Sequence, residues 1–467
     1  MATRAIVVPE QNGIPSVILV CKTFEMQAKA TAEGLGTFGL PTAIFEKHVD
    51  SYSVPELKEQ VQTTITDQVV KALNIQPAEV DPPPSEPKRT DVIFRGTFEE
   101  VNKFFYAREW SDGLPIVPPT LEKVDDFLKF TDRSPEEVIG VLLPDNREAT
   151  IWNVAVNGVM AGCRSEYMPI LISLAEVMAD PRFGVRHLGN TPGTEMQIYL
   201  SGPIIKQLGF NYEQGALRPG FQANISIGRF WRLYLRNVAG FLPRKTDKAT
   251  FGGTFRGVLA ENEDFVARIG WKPLSVDQGF KAGENVVTVN SCVSNDSVFS
   301  MVSETAERTL DRIAARLIDI GILYTSQTRD AGRLPIAHQL LISPTIAEYL
   351  AEHGYSKEAV KQYLWKHTFF PANRFNLLFS RTAKIRDSLC DGVKIGDLPP
   401  SYCESNDPER MVPLYPNPEA LVVVVSGDPA RDNCYFCTQN GQHGYITSKK
   451  IVLPVDWEKL LKRAKEK

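Results

Sequence analysis

The chain has 467 residues, 43% of them hydrophobic and 23% charged, with a net charge of −4. That length exceeds one ordinary core and implies two or three domains. The charge balance leaves no basic footprint for nucleic acid, and no apolar run is long enough to span a membrane.

The first residues, MATRAIVVPEQNG, lack a cationic and then apolar leader, so no secretory signal is expected. Residues 14–21 (IPSVILVC) read as a buried strand, 24–36 as a helix ended by glycine, 40–49 as a second strand and 54–74 as a long helix. Strand–helix–strand–helix order implies a parallel sheet flanked by helices. Two strands are half a sheet, so residues 1–74 form an incomplete α/β unit. Its open first strand is expected to pair with the rest of the chain, a second copy or another subunit. Residues 75–90 (IQPAEVDPPPSEPKRT) form a proline-rich linker, and 91–467 a larger mixed α/β domain of one or two subdomains. In it, helices are expected at 97–110, 150–161, 224–239, from 297 onward, and around 344–367. Strands are expected at 196–203, 285–292, 339–343 and 420–430, with a closing hairpin whose turn holds Asn440 and Gly441. No internal repeat is apparent.

The stretch 157–167, NGVMAGCRSEY, puts Cys163 at the joint between two helices, with Ser165 as an N-cap for the second. A thiolate facing a helix N-terminus beside Arg164 should have a pKa below the free value of roughly 8.5. That would make Cys163 the most alkylation-prone cysteine; the competing reading is a small packing residue at a helix corner. Asn157, Arg164 and Glu166 would orient groups around it. His187, in the polar loop RHLGNTPGTE, would carry protons.

Arg229, Arg232 and Arg236 recur at helical spacing and, if buried, would clamp an anion; otherwise they are a solvated face. The glycine-rich TFGGTFRG has neither Walker nor dinucleotide spacing but could cradle an anion with Lys248 and Arg256 nearby; the alternative is a simple turn. Cys434 and Cys437 (CYFC), with His443 beyond them, could form a reducible pair or half a zinc site, which Cys390 and Cys403 would complete. The alternative is two reduced thiols beside a turn.

Residues 12–74 (GIPSVILV, FEMQAKATAEGLG, LPTAIFEKHV and the helix ending VVKALN) resemble the second half of the UGSC-type (seleno)protein family. The resemblance implies that a partner bearing a Cys-Gly-Ser-Cys motif supplies the missing half, or that the motif's site has been lost. Residues 95–455 resemble a poorly characterised bacterial family met beside such proteins, through SDGLPIVPPT, NGVMAGCRSEYMPILI, NISIGRFWRLYLRNVAG, LLISPTIAEYLAEHGYSKEAVKQYLW and VVVVSGD. It points to an enzyme-like α/β protein working with thiol chemistry.

These features together lead to a cysteine-dependent enzyme subunit acting by redox or covalent thiol chemistry on a small anionic substrate. The alternatives are a metal-dependent enzyme and a non-catalytic companion subunit. The sequence names no cofactor.

Overall fold

The computed structural model describes residues 2–74, 88–325, 338–379, 388–396, 398–439 and 444–466. Its architecture is mixed α/β, as the alternation of patterns predicts. Most of the linker 75–90 lies outside the described residues.

In the N-terminal unit, β1 (Ile18–Cys21) and β2 (Thr42–Phe45) pair in parallel, flanked by helices Ala2–Gln11 and Glu25–Gly34. The long helix predicted at 54–74 is one run with a π-helical stretch at Val61–Ile65. It starts on a Ser53–Glu56 capping box that satisfies donors at both N-cap and N3. Among the described residues, β1 pairs only with β2, and the buried side chains form two small clusters, Ile18–Val20–Ala28 and Ala43–Phe45–Ile65. The unit leans on the large domain instead. Arg4 donates to the Arg186 carbonyl at 3.0 Å, Gln27 to the Thr246 carbonyl at 3.2 Å and Lys248 to the Thr23 carbonyl at 2.5 Å. A fragment of residues 1–76 is therefore expected to show no cooperative thermal transition by circular dichroism, since so few apolar groups cannot offset chain entropy. A sharp transition would show a self-sufficient sheet.

Beyond an antiparallel hairpin of β3 (Val138–Leu142) and β4 (Arg147–Thr150), two four-stranded sheets dominate. The first contains β5 (Glu195–Ser201), β6 (Leu259–Ala260), β7 (Val286–Cys292) and β14 (Thr447–Lys450). The second contains β8 (Ser294–Val298), β9 (His338–Ile342), β12 (Leu421–Val425) and β13 (Cys434–Thr438), while β10 (Phe369–Pro371) and β11 (Met411–Pro413) form a separate ribbon. Strand alternation sorts the side chains into layers. Met196, Ile198, Leu200, Val287 and Val289 share a core with helices Ile151–Met160, Met168–Ala179 and Gln222–Tyr234. Leu340, Ile342, Val423, Val425 and Phe436 share another with helices Ala306–Thr325, Pro344–Glu352 and Lys357–His367. Tyr199, Leu259, Leu341, Val422 and Val424 meet in a third, between the sheets. The result is a helix–sheet–sheet–helix sandwich.

The pairing also discloses an internal duplication that the amino-acid pattern conceals. β5 pairs β6 in parallel and β7 antiparallel; β9 pairs β12 in parallel and β13 antiparallel. The strand after each triplet then crosses to the other sheet, β8 onto β13 and β14 onto β7, both antiparallel. Two copies of one unit thus exchange their last strands. This corrects two expectations. β13 and β14 belong to different sheets and form no hairpin with each other, whereas Asn440 and Gly441 lie outside the described residues. Residues 294–298 form β8, and the helix predicted from 297 begins at Ala306.

Candidate functional site

The residues singled out around Cys163 are separated by the fold. Gly162 has φ 76°; its N–H donates to the Val159 carbonyl at 2.9 Å, and the Cys163 N–H to the Gly158 carbonyl at 3.1 Å. That is the paired bonding of a Schellman stop, so Gly162 closes helix Ile151–Met160 and does not admit a ligand. Ser165 opens a 3-10 turn, capped by Arg164, and the following α-helix begins at Met168. Cys163 is half-buried against the core, and desolvation of its thiol pushes it up to about 12, against smaller opposing effects from the Ser226 hydroxyl and the Arg229 charge. This is the opposite of the depression expected at a helix N-terminus, because desolvation outweighs the helix field.

Arg164 pairs with the buried Glu166 carboxylate. Asn157 faces a different space, a cavity of about 1130 Å³ that Trp110 and Trp152 also line, and its side-chain oxygen accepts from Asn237 at 2.8 Å. His187 lines a cleft of about 330 Å³ between the N-terminal unit and the sheet domain, with Arg4, Val20 and Gln27. Burial and then the Arg186 charge lower its pKa to about 4.

The arginine stripe is consumed by structure. Arg229 forks onto Asp112 at 2.9 and 2.8 Å, Arg232 bonds Asp247 at 2.8 Å, and Arg236 donates to the Glu109 carbonyl. Lys248 is taken by the Thr23 carbonyl. Cys390 and Cys403 are joined in a disulfide, which corrects the expectation that they complete a zinc site. Cys434 and Cys437 lie three apart on β13 and so face opposite sides: Cys434 joins the helix-side core, and Cys437 faces between the sheets. They can neither bond each other nor share a metal. His443 lies outside the described residues, and among those described no group of three or more His, Cys, Asp or Glu could hold a metal ion.

One predicted residue, Arg256, leads to a different constellation. It borders a cavity of about 600 Å³ whose other lining includes Glu195, Gly252, Gly253, Cys292, Asn295 and Tyr435. Glu195 opens β5, Cys292 ends β7, and the two are direct cross-strand partners. Opposed residues in an antiparallel pair hold their Cβ atoms about 5 Å apart on one face. Arg256 Nε donates to Gln197 Oε1 at 2.9 Å, and its Nη2 to the Tyr435 hydroxyl at 3.0 Å and to Cys437 Sγ at 3.7 Å. The Tyr435 hydroxyl donates in turn to Asn295 Oδ1 at 2.7 Å. Behind them, the Tyr199 hydroxyl donates to Gln339 Oε1 at 2.5 Å, and Gln339 donates to the Ser291 carbonyl at 3.0 Å.

Glycines allow the cover. A Cβ on Gly193 would sit 2.6 Å from Gly252 Cα, so the loops 190–194 and 249–253 touch backbone to backbone, and Gly253 lies over Glu195. On the far side, a Cβ on Gly228 would collide with the Arg256 carbonyl, so helix Gln222–Tyr234 fixes the arginine's backbone. Phe251 stands 97% exposed at the mouth.

The electrostatics differ from those at Cys163. A hydrogen bond from the Cys437 thiol, joined by the Arg256 charge, holds the Cys292 thiol below its ordinary value despite burial. Burial and the neighbouring Cys292 push Cys437 up. Burial, reinforced by Asp247 and opposed by Arg232 and Arg256, raises Glu195 to about 7. A nucleophile inclined to ionise, a carboxyl that changes charge near neutrality and a fixed cation therefore share one cavity.

Sequence reasoning missed Cys292 and Glu195. The available signal was the alternation in EMQIYLS, where Glu195, Gln197, Tyr199 and Ser201 put a polar ladder on one face of a wholly buried strand.

Residues 1–75 match the model of the UGSC family, a match that takes in helix Ala2–Gln11 as well as the segments from residue 12. No curated protein and no solved structure matches the chain. Among the described residues no helix is long and apolar enough to cross a membrane.

Proposed function

We propose that the chain is a cysteine-dependent enzyme that uses Cys292, not Cys163, as the reactive thiolate on a small anionic substrate. The observation that carries this reading is the cross-strand pairing of Cys292 with Glu195 beside Arg256 in one covered cavity. In this reading Cys292 attacks, Glu195 takes up or delivers a proton near pH 7, and Arg256 holds the anion. Arg256 suits that role because its guanidinium is fixed by Gln197 and Tyr435 and stays charged. The cytoplasmic setting belongs to the same proposal, since it would keep Cys292 and Cys437 reduced.

Alkylation of Cys292 tests the arrangement. Iodoacetate carries the charge that Arg256 would attract, and iodoacetamide does not. Arg256→Gln is expected to slow iodoacetate by about tenfold more than iodoacetamide, the effect of about 1.4 kcal/mol of lost attraction. Glu195→Gln should speed labelling at pH 8, where the native carboxylate opposes the thiolate, and leave it unchanged at pH 5.5, where Glu195 is already neutral. Equal slowing of both reagents, together with a flat Glu195→Gln profile, would sink the reading.

A second reading adds a partner. The match of residues 1–75 to the UGSC family supports docking of a Cys-Gly-Ser-Cys-bearing subunit, or a second copy, on the N-terminal unit. Leu19 on β1, Met26 and Val54 are exposed apolar residues of that unit. In this reading the chain is a companion subunit or one part of a heteromeric enzyme. Protection of residues 14–21 from hydrogen exchange only on co-expression with such a partner would support it.

A further inference from the structure

At the foot of the cavity, Cys437 comes up against Cys292, although 145 positions separate them and neither belongs to a paired-cysteine motif with the other. They reach each other because β7 and β13 lie in different sheets that meet where the exchanged strands depart. The Val293 N–H donates to the Thr438 carbonyl at 2.9 Å, and the Thr438 hydroxyl donates to the Ser294 carbonyl at 3.3 Å. These bonds hold the two backbones together on the C-terminal side of each cysteine. The Cys292 thiol donates to the Ser294 carbonyl at 3.4 Å, the same oxygen that takes the Thr438 hydroxyl, and Arg256 Nη2 lies 3.7 Å from Cys437 Sγ. Only Cys292 lines the cavity; Cys437 lies behind it. Two cysteines that served only as packing would have no use for a guanidinium beside them, and an apolar pair would fill the space at less cost.

We infer that Cys292 and Cys437 form a working dithiol that reduces a small anionic disulfide, with Cys292 as the attacking and Cys437 as the resolving thiol. This rests on the reading of Cys292 as the reactive thiolate. In the first step the Cys292 thiolate attacks one sulfur of R–S–S–R. That bond breaks, one R–S⁻ leaves and a Cys292–S–S–R mixed disulfide forms. In the second step Cys437 attacks Cys292 Sγ, its proton passes to the departing sulfur, and the second R–SH leaves. The protein dithiol has then lost two electrons to the substrate and holds a Cys292–Cys437 disulfide. Exchange with a thiol reductant returns it to the dithiol. The order follows from access, because the substrate meets Cys292 first and Cys437 is placed to reach only the sulfur of Cys292. The anionic preference follows from Arg256, beside both sulfurs.

The probe is 5,5′-dithiobis(2-nitrobenzoate), a doubly anionic disulfide, added to the full chain with Cys21 and Cys163 replaced by serine. The expected result is release of two thiolates per chain, no retained adduct, and a cross-link between the peptides containing Cys292 and Cys437. Cys437→Ser should stop after one thiolate and keep the adduct on Cys292; Cys437→Ala, checked for native circular dichroism, guards against a folding artefact of the serine. One thiolate and a lasting adduct on Cys292 in the chain that retains both cysteines would overturn the resolving role and leave the thiolate reading intact. Absence of any adduct or cross-link at Cys292 would overturn both.

Discussion

Replacing Lys357 with methionine is expected to destabilise the chain by about 3–5 kcal/mol, the cost of leaving a buried charge without its partner. Lys357 is the first residue of helix Lys357–His367, and its side chain is 1% exposed. Its Nζ lies 3.2 Å from Asp277 Oδ2 and 3.7 Å from Glu261 Oε1. Glu261 follows β6 in the first sheet and also accepts from the Leu274 N–H at 2.7 Å. The lysine comes from the layer covering the second sheet, so this ion cluster joins the two copies of the duplicated unit. The loss should depend on pH in a definite direction. Burial raises Glu261 to about 7 even with the lysine present. The folded state therefore binds a proton that the unfolded state releases near 4.5, and stability falls as pH rises from there to about 7. Removing the cation raises the carboxyl further, so the gap between variant and parent should be wider at pH 8.5 than at pH 5.5. Urea unfolding followed by tryptophan fluorescence at both values measures it. A difference under about 1 kcal/mol at pH 8.5 would mean that the cluster contributes little.

Cys292 is expected to react with iodoacetamide at pH 7.5 at least about tenfold faster than Cys163. With its thiol pushed up to about 12, Cys163 is almost wholly protonated at that pH, whereas Cys292 lies below the ordinary value of 9.0. The two shifts run in opposite directions, so the thiolate fraction favours Cys292, and the thiolate is the species that reacts. Residue exposure runs the other way, Cys292 being buried and Cys163 half-buried, so the expected order rests on thiolate content. Peptide mapping over a time course at fixed pH gives both rates. Comparable rates would show that desolvation does not govern reactivity at Cys163.

Much of this protein was legible in its residues. Hydrophobic pattern located helices such as Phe98–Ala107 and Ile151–Met160, which the structure shows to start on a Thr97–Glu100 box and a Thr150 cap. These signals are local: each lies within one turn of the chain. The hydrophobic run 420–430 identified β12 for the same reason, and the two strands of residues 14–49 showed that the N-terminal unit lacked a full sheet.

What the residues could not disclose is which distant segments meet. Nothing near Cys292 in the chain distinguishes it from a packing thiol. Its character comes from Cys437 on another sheet, Arg256 on a loop and Glu195 across the strand pair. Conversely, Cys163 has every local mark of activation, a helix start and an adjacent arginine, yet the fold buries its thiol and reverses the expected shift. Arg229, Arg232 and Arg236 looked available only because their partners, Asp112, Asp247 and the Glu109 carbonyl, lie outside their own helical run. The exchange of β8 and β14 between sheets is a matter of pairing, which hydrophobic alternation does not encode. Local propensity fixes where helices and strands form, because their hydrogen bonds and side-chain periods are short-range. The charge state of a buried group and the partner of a strand depend on three-dimensional packing, and only the tertiary structure decides them.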